Sequence, residues 1–187
     1  IDKLTLAVNP GKFVDGHGPT LKGKDLSAYA VSGIKTDHEC SSLEEMRDRL
    51  RAGMYVLIRE GSAASDLNEL IKGVNKDNAR RCCFCTDDRQ AEDIIRVGHI
   101  DNNVRLALKA GIDPVTVIQI ATINTAECYG LTDKGAIAPG YDADFVIVDD
   151  LENFNVESVY IKGNLSSENG NYPFAIDSLE DQHVLYT

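Results

Sequence analysis

The chain has 187 residues, 43% of them apolar and 26% charged. That composition fits a globular protein of roughly one to one and a half domains and excludes a disordered or fibrous chain. Lys and Arg number 19 against 30 Asp and Glu, a formal net charge of −11. This argues against sequence-independent nucleic-acid binding, which needs a basic surface, and leaves a small neutral or metal-chelated substrate open.

No apolar run is long enough to cross a bilayer, and no basic start leads into an apolar stretch, so neither a membrane span nor a signal peptide is expected. Three of the five cysteines crowd into Cys82-Cys83-Phe84-Cys85. Neighbouring cysteines on an apolar strand do not pair with one another easily, so reduced thiols in a cytoplasm are expected.

In chain order, Ile1 to Val8 read as the end of a helix. Pro10-Gly11 breaks it, and Phe13 to Pro19 is expected to form a short strand closed by a Gly-Pro turn. Asp25 to Val31 make a short helix stopped by Gly33. Ile34 to Thr36 form a second brief strand. Ser41 with Glu44 carries a capping-box signature for a helix presenting Leu43, Met46 and Leu50, which Gly53 ends. Met54 to Ile58 is a continuous apolar run of buried-strand type. Leu67, Leu70, Ile71 and Val74 then give one face of a helix, and Cys82 to Cys85 a fourth strand.

Strands alternating with helices, without hairpin turns, predict parallel strands joined by right-handed crossovers. After the fourth strand, helices are expected at 91–97, 102–110 and 114–121, the last with Asp113 as N-cap and Pro114 at N1. From Gly135 the character turns to β, with strands at 144–148 and 156–161, and a polar tail from Asn164 reads as loop. The division expected is 1–133, a half (β/α) barrel with trailing helices, and 134–187, part of a small β-domain. A complete barrel takes roughly 250 residues, so these units correspond to the later half of one.

The polar residues fall in a pattern. His17, His38, Arg59-Glu60 and Asp87-Asp88 each directly follow a strand, and in a (β/α) barrel the loops after the strands share one mouth. A single histidine in such a place reads more readily as a turn or hydrogen-bonding residue than as a ligand. Two of them, with a carboxylate pair at a third strand end, make a mixed nitrogen and oxygen set suited to a divalent transition metal.

His17, His38 and Asp87 are the candidate ligands, and Asp87 also a candidate proton acceptor. Successive residues leaving a strand point opposite ways, so Asp88 is assigned to capping or support. Glu39 reads equally as a general acid or base and as a solvated carboxylate leading a helix. Arg59, Glu60 and Ser62 offer groups to a heterocyclic substrate, although ion pairing accounts for Arg59 nearly as well. His99 is assigned a structural hydrogen bond. The cysteines lack zinc spacing and are read as strand packing. No phosphate-binding loop or dinucleotide fingerprint occurs.

Taken together, Val14-Asp15-Gly16-His17-Gly18-Pro19, Thr36-Asp37-His38-Glu39, Ile58-Arg59-Glu60-Gly61-Ser62-Ala63-Ala64, Thr86-Asp87-Asp88, Gly98-His99-Ile100-Asp101 and the run from Gly135 to Asp144 resemble the bacterial adenine deaminases of the amidohydrolase superfamily. The resemblance extends to about Gly163; at Gly18 it leads one to expect alanine. It implies a (β/α)₈ TIM-type barrel with a binuclear centre of manganese, iron or zinc, His17, His38 and Asp87 being ligands after the fifth, sixth and eighth strands.

It also implies hydrolytic deamination of adenine to hypoxanthine and ammonia, a step of purine salvage, by water that the metal activates. Asp87 would move the proton, Glu39 would protonate the ring, and Arg59, Glu60 and Ser62 would hold it. The family's ligands after the first and fourth strands have no match here. The chain is therefore expected to be a carboxyl-terminal portion that alone binds metal weakly and turns over little, with its open barrel edge covered in a homo-oligomer. The alternatives are another cyclic amidohydrolase or purine deaminase, or a non-catalytic fragment with an incomplete metal site.

Overall fold

The computed structural model describes Lys3, Thr5, Leu6 and residues 12–172. A parallel sheet carries the candidate residues, its strands in the order β1 (Thr36–Asp37), β2 (Tyr55–Arg59) and β3 (Cys82–Cys85). Thr36 pairs with Tyr55, and Val56 through Arg59 pair in step with Cys82 through Cys85. Helix α1 (Gly23–Val31) precedes β1, and α2 (Leu43–Arg51) crosses from β1 to β2. Helix α3 (Leu67–Leu70) and two 3₁₀ turns cross from β2 to β3.

The two-residue period of a strand sorts the side chains onto two faces. Val56, Ile58, Cys82 and Phe84 join Met46, Leu67, Leu70, Ile71 and Val74 in the main core. Each such aliphatic side chain, once buried, contributes about 1.5–3 kcal/mol. Leu57 and Cys83 turn the other way and pack with Cys128.

Four helices follow β3: α4 (Ala91–Val97), α5 (Ile100–Lys109), α6 (Pro114–Ala121) and α7 (Ile123–Tyr129). Asp113 caps α6 by accepting from Thr116 N at 3.0 Å, with Pro114 in the first turn as expected. Helix α7 was not expected. Its Asn124 donates to the carbonyls of Ala79 and Cys82 at 2.8 and 3.2 Å, which ties the helix to the start of β3. An antiparallel sheet of β4 (Phe145–Val148), β5 (Val156–Ile161) and β6 (Asn164–Glu168) completes the described chain. Phe145 and Tyr160 are cross-strand partners and stack at 4.6 Å, while Val148 and Phe154 reach the main core. Parallel strands with crossover helices, followed by a separate antiparallel sheet, agree with the later portion of a (β/α) barrel and a β-unit.

Three expectations need correction. Phe13 to Pro19 forms no strand: it touches the sheet side through one backbone bond, Lys35 N to Val14 O at 3.1 Å, and Gly16, Gly18 and Pro19 give it little capacity for a ladder. The cap of α2 lies one residue later than read: Ser42 accepts from Glu45 N at 3.3 Å, and Glu45 accepts from Ser41 N at 3.0 Å. The polar tail is not all loop, since β6 pairs with β5 through a two-residue turn at Lys162-Gly163, both with positive φ.

Candidate functional site

The carboxyl end of β1 brings His38 and Glu39 against His17, which stands not after a strand, as read, but on the irregular segment before α1. His17 Nδ1 lies 3.4 Å from His38 Nε2 and 3.3 Å from Glu39 Oε1, and His38 Nε2 lies 3.4 Å from the same oxygen. Ligands held about 2.1 Å from a tetrahedral ion stand about 3.4 Å apart, so a triangle of this size fits a divalent cation, and two imidazoles with a carboxylate are a donor set such ions take. Among the described residues, this is the cluster of three with metal-ligating atoms within 4.8 Å of one another. The His38 and Glu39 side chains are mostly covered, whereas that of His17 is 66% exposed.

Local chemistry explains why these donors meet. Gly16 sits so close to β1 that a Cβ there would lie 2.1 Å from Thr36 O, so only glycine allows the approach. Gly16 N donates to Thr36 Oγ1 at 3.1 Å, and His17 N donates to the Tyr29 hydroxyl at 2.8 Å. Thr36 also hydrogen-bonds Asp15. A Cβ at Gly18 would meet the Leu21, Asp37 and Tyr29 side chains at 3.0–3.2 Å, a tight fit.

Arg59, at the end of β2, is the hub of the charge network. Its Nη1 donates to Glu39 Oε1 at 2.7 Å and to Asp87 Oδ2 at 3.2 Å, and its Nε and Nη2 both reach Asp66 Oδ2. Burial works against the guanidinium charge, but hydrogen bonds to Asp66 and Glu39 outweigh it and hold the pKa above its ordinary value. Asp87 therefore stands across Arg59 from Glu39, outside the donor triangle. Its φ is 50°, in the left-handed region that aspartate enters more readily than most residues.

The remaining candidates have partners within the chain. Asp88 accepts from Ser62 N at 3.2 Å and Ala63 N at 2.9 Å, pinning the loop after β2, as its supporting assignment anticipated. A Cβ on Gly61 would fall 1.9 Å from Asp88 Oδ1. The Ser62 hydroxyl engages Asp93 and accepts from Gln90 N, tying that loop to α4. Glu60 accepts from Ser65 Oγ at 2.7 Å. His99 Nε2 lies 2.9 Å from Thr86 Oγ1, the structural role assigned to it.

Sequence reasoning missed Asp37, Arg49 and Asp66. Asp37 and Arg49 are fully buried and joined at 3.0 Å; their positions, twelve residues apart on different elements, gave no signal. Asp66, at the start of α3, reads in sequence as an ordinary helix cap.

The sequence model of the Amidohydrolase family matches residues 2–166. An adenine deaminase of Nitratidesulfovibrio vulgaris strain DP4 is 58% identical over 170 residues, covering 91% of this chain and 30% of that protein. A protein named adenine deaminase 2 from Latilactobacillus sakei is 49% identical over 177 residues, again 30% of its length. The chain thus spans about 30% of the length of these curated relatives. Among solved structures, a β-aspartyl dipeptidase of Fervidobacterium islandicum AW-1 matches with a TM-score of 0.66 at 19% identity, covering 88% of this chain and 49% of the other. An N-acetyl-D-glucosamine-6-phosphate deacetylase of Mycobacterium smegmatis matches with a TM-score of 0.66 at 17% identity, covering 89% and 51%. At these identities the structural matches speak for the fold.

Proposed function

The chain belongs to the amidohydrolase family, and from that premise we propose that it is part of a metal-dependent adenine deaminase that releases ammonia from adenine and leaves hypoxanthine. The observation that carries this reading is the triangle of His17, His38 and Glu39 donors in a chain 58% identical to an adenine deaminase over 170 residues.

In this reading His17 and His38 would hold the metal, and Asp87, whose carboxylate meets Arg59, would turn from it to serve as a further ligand. When bound, a divalent cation supplies a Lewis acid that makes water a competent nucleophile near neutral pH. Asp87 takes the proton of the attacking water and passes it toward the departing amine. Glu39 delivers a proton to the purine ring as charge builds there. Arg59 sets the direction of both carboxylates, since one of its nitrogens touches each. Glu60 and Ser62 shape the loop against which the ring rests. Manganese, iron and zinc all suit such nitrogen and oxygen donors, and the donor set does not choose among them.

Five free thiols accord with a reducing cytoplasm, the setting of purine salvage, and we propose a homo-oligomer there. No helix among the described residues is long and apolar enough to cross a membrane. The share of relatives covered, about 30%, favours a second reading for the chain by itself: a fragment with an incomplete site and little turnover.

Ammonia release should be measured with adenine, guanine and hydantoin for the parent-length protein and for the 187-residue chain, with bound metal counted. Turnover of adenine alone by the longer protein supports the proposal. A preference for hydantoin, or no adenine turnover, sinks it, and full activity in the short chain sinks the fragment reading.

A further inference from the structure

Asp37 and Arg49 stand directly beneath the donor triangle and are used by no step above. Arg49 Nε meets Asp37 Oδ2 at 3.0 Å, and neither side chain is reached by solvent. Each of the pair then reaches further. Asp37 Oδ1 accepts from Glu39 N at 2.9 Å and Gly18 N at 3.3 Å. Arg49 Nη2 donates to Gly18 O at 2.6 Å, and Nη1 donates to Leu21 O at 2.9 Å.

The segment carrying His17 and the turn carrying His38 and Glu39 come from separate parts of the chain. Outside this pair, the segments meet through Lys35 N to Val14 O, through Thr36 with Asp15 and Gly16, and through the donor atoms of His17, His38 and Glu39 themselves. Asp37 binds one backbone amide from each segment, and Arg49 binds the first and last carbonyls of the Gly18–Leu21 turn that follows His17. A planar guanidinium suits that task because it spans several acceptors in one fixed fork.

We infer that Asp37 and Arg49 are positioning residues: buried beneath the site, they set the separation of His17 from His38 and Glu39 and so its affinity for a divalent cation. The inference rests on the metal reading of those three donors. Groups that orient metal ligands from behind typically change metal affinity 10–100-fold when replaced.

The test uses the parent-length protein with Co²⁺ as the probe, read by calorimetry and by visible absorption of the bound ion. Amide exchange at Gly18 and Glu39 is read in parallel without metal. Arg49→Met removes the fork and leaves Asp37 unpaired. Arg49→Lys keeps the buried charge pair but replaces the fork with a point charge, and it carries the test if the methionine variant does not fold. His17→Ala is the control for the site.

The expected result is a roughly 10–100-fold weaker Co²⁺ affinity with an altered spectrum in Arg49→Met and a smaller loss in Arg49→Lys. Faster exchange at Gly18 and Glu39 accompanies both, while β2 amides stay protected. Wild-type affinity in both folded variants, or weakened affinity without faster exchange at those two amides, overturns the positioning role while leaving the metal site standing. Absence of Co²⁺ binding in the wild type, or undiminished binding in His17→Ala, refutes the metal reading itself, and the positioning role falls with it.

Discussion

Arg59 Nη1 is 2.7 Å from Glu39 Oε1, so the carboxylate that faces the two imidazoles is already held by a fixed cation. The same guanidinium also faces Asp66 and Asp87, and its side chain is 8% exposed. Replacing it by methionine leaves three carboxylates without their common partner. We expect Arg59→Met to lower unfolding stability by about 3–5 kcal/mol at pH 7, the usual cost of stranding a buried charge. Urea unfolding of both proteins at pH 7 checks this; a deficit below about 1 kcal/mol would contradict the stranded-charge account.

Alanine at His17, His38 or Asp87 in the parent-length protein should each lower the metal retained after dialysis, by tenfold or more. Elemental analysis reads it directly. Retention of metal after Asp87→Ala would leave that residue only its proton-transfer task, and retention after either histidine change would remove that imidazole from the ligand set.

Glu45 offers a pH test remote from the metal donors. Burial pushes its carboxyl up, but hydrogen bonds from Ser41 and Ser42 and the Arg49 charge outweigh that and hold its pKa below the ordinary 4.5. A depressed folded pKa contributes stability above the unfolded value that disappears as pH falls through the folded value. Glu45→Gln should cost about 1 kcal/mol at pH 7, typical of a helix cap. The gap between wild type and variant should hold down to about pH 4.5 and close below it. A gap independent of pH would rule out the charge as its source.

The thiols give a simpler measurement. Burial pushes those of Cys40, Cys82 and Cys85 up to about 12. At pH 8 almost none of their reactive thiolate is present. Iodoacetamide should leave all three unlabelled in the native chain and label them in guanidinium, as mass spectrometry would show. Rapid native labelling of Cys82 would mean that β3 opens readily.

Much of this arrangement is legible in the sequence because period and composition are local properties. Met54 to Ile58 announces a buried strand, and Leu67, Leu70, Ile71 and Val74 all enter the core as their spacing requires. What escaped depends on distant partners. The polar run Asn164 to Glu168 becomes a strand only because β5 lies beside it, and Phe13 to Pro19 stays unpaired although its pattern resembles a strand. Asp37 and Arg49 escaped for a different reason: charged residues are surface residues by default, and only the fold reveals that these two satisfy each other. At the site itself, histidines and acids at strand ends were readable, but which carboxylate joins the imidazoles was not. Glu39 lies with them, and Asp87 is linked through Arg59 to Glu39.

Gly16 carries a last consequence. The room for one methyl group beside the Thr36 carbonyl does not exist, so any larger residue there must pry apart the two halves of the histidine pair. The approach of the imidazoles is thus limited by an atom the chain lacks, alongside the buried pair of Asp37 and Arg49 that holds the same two segments.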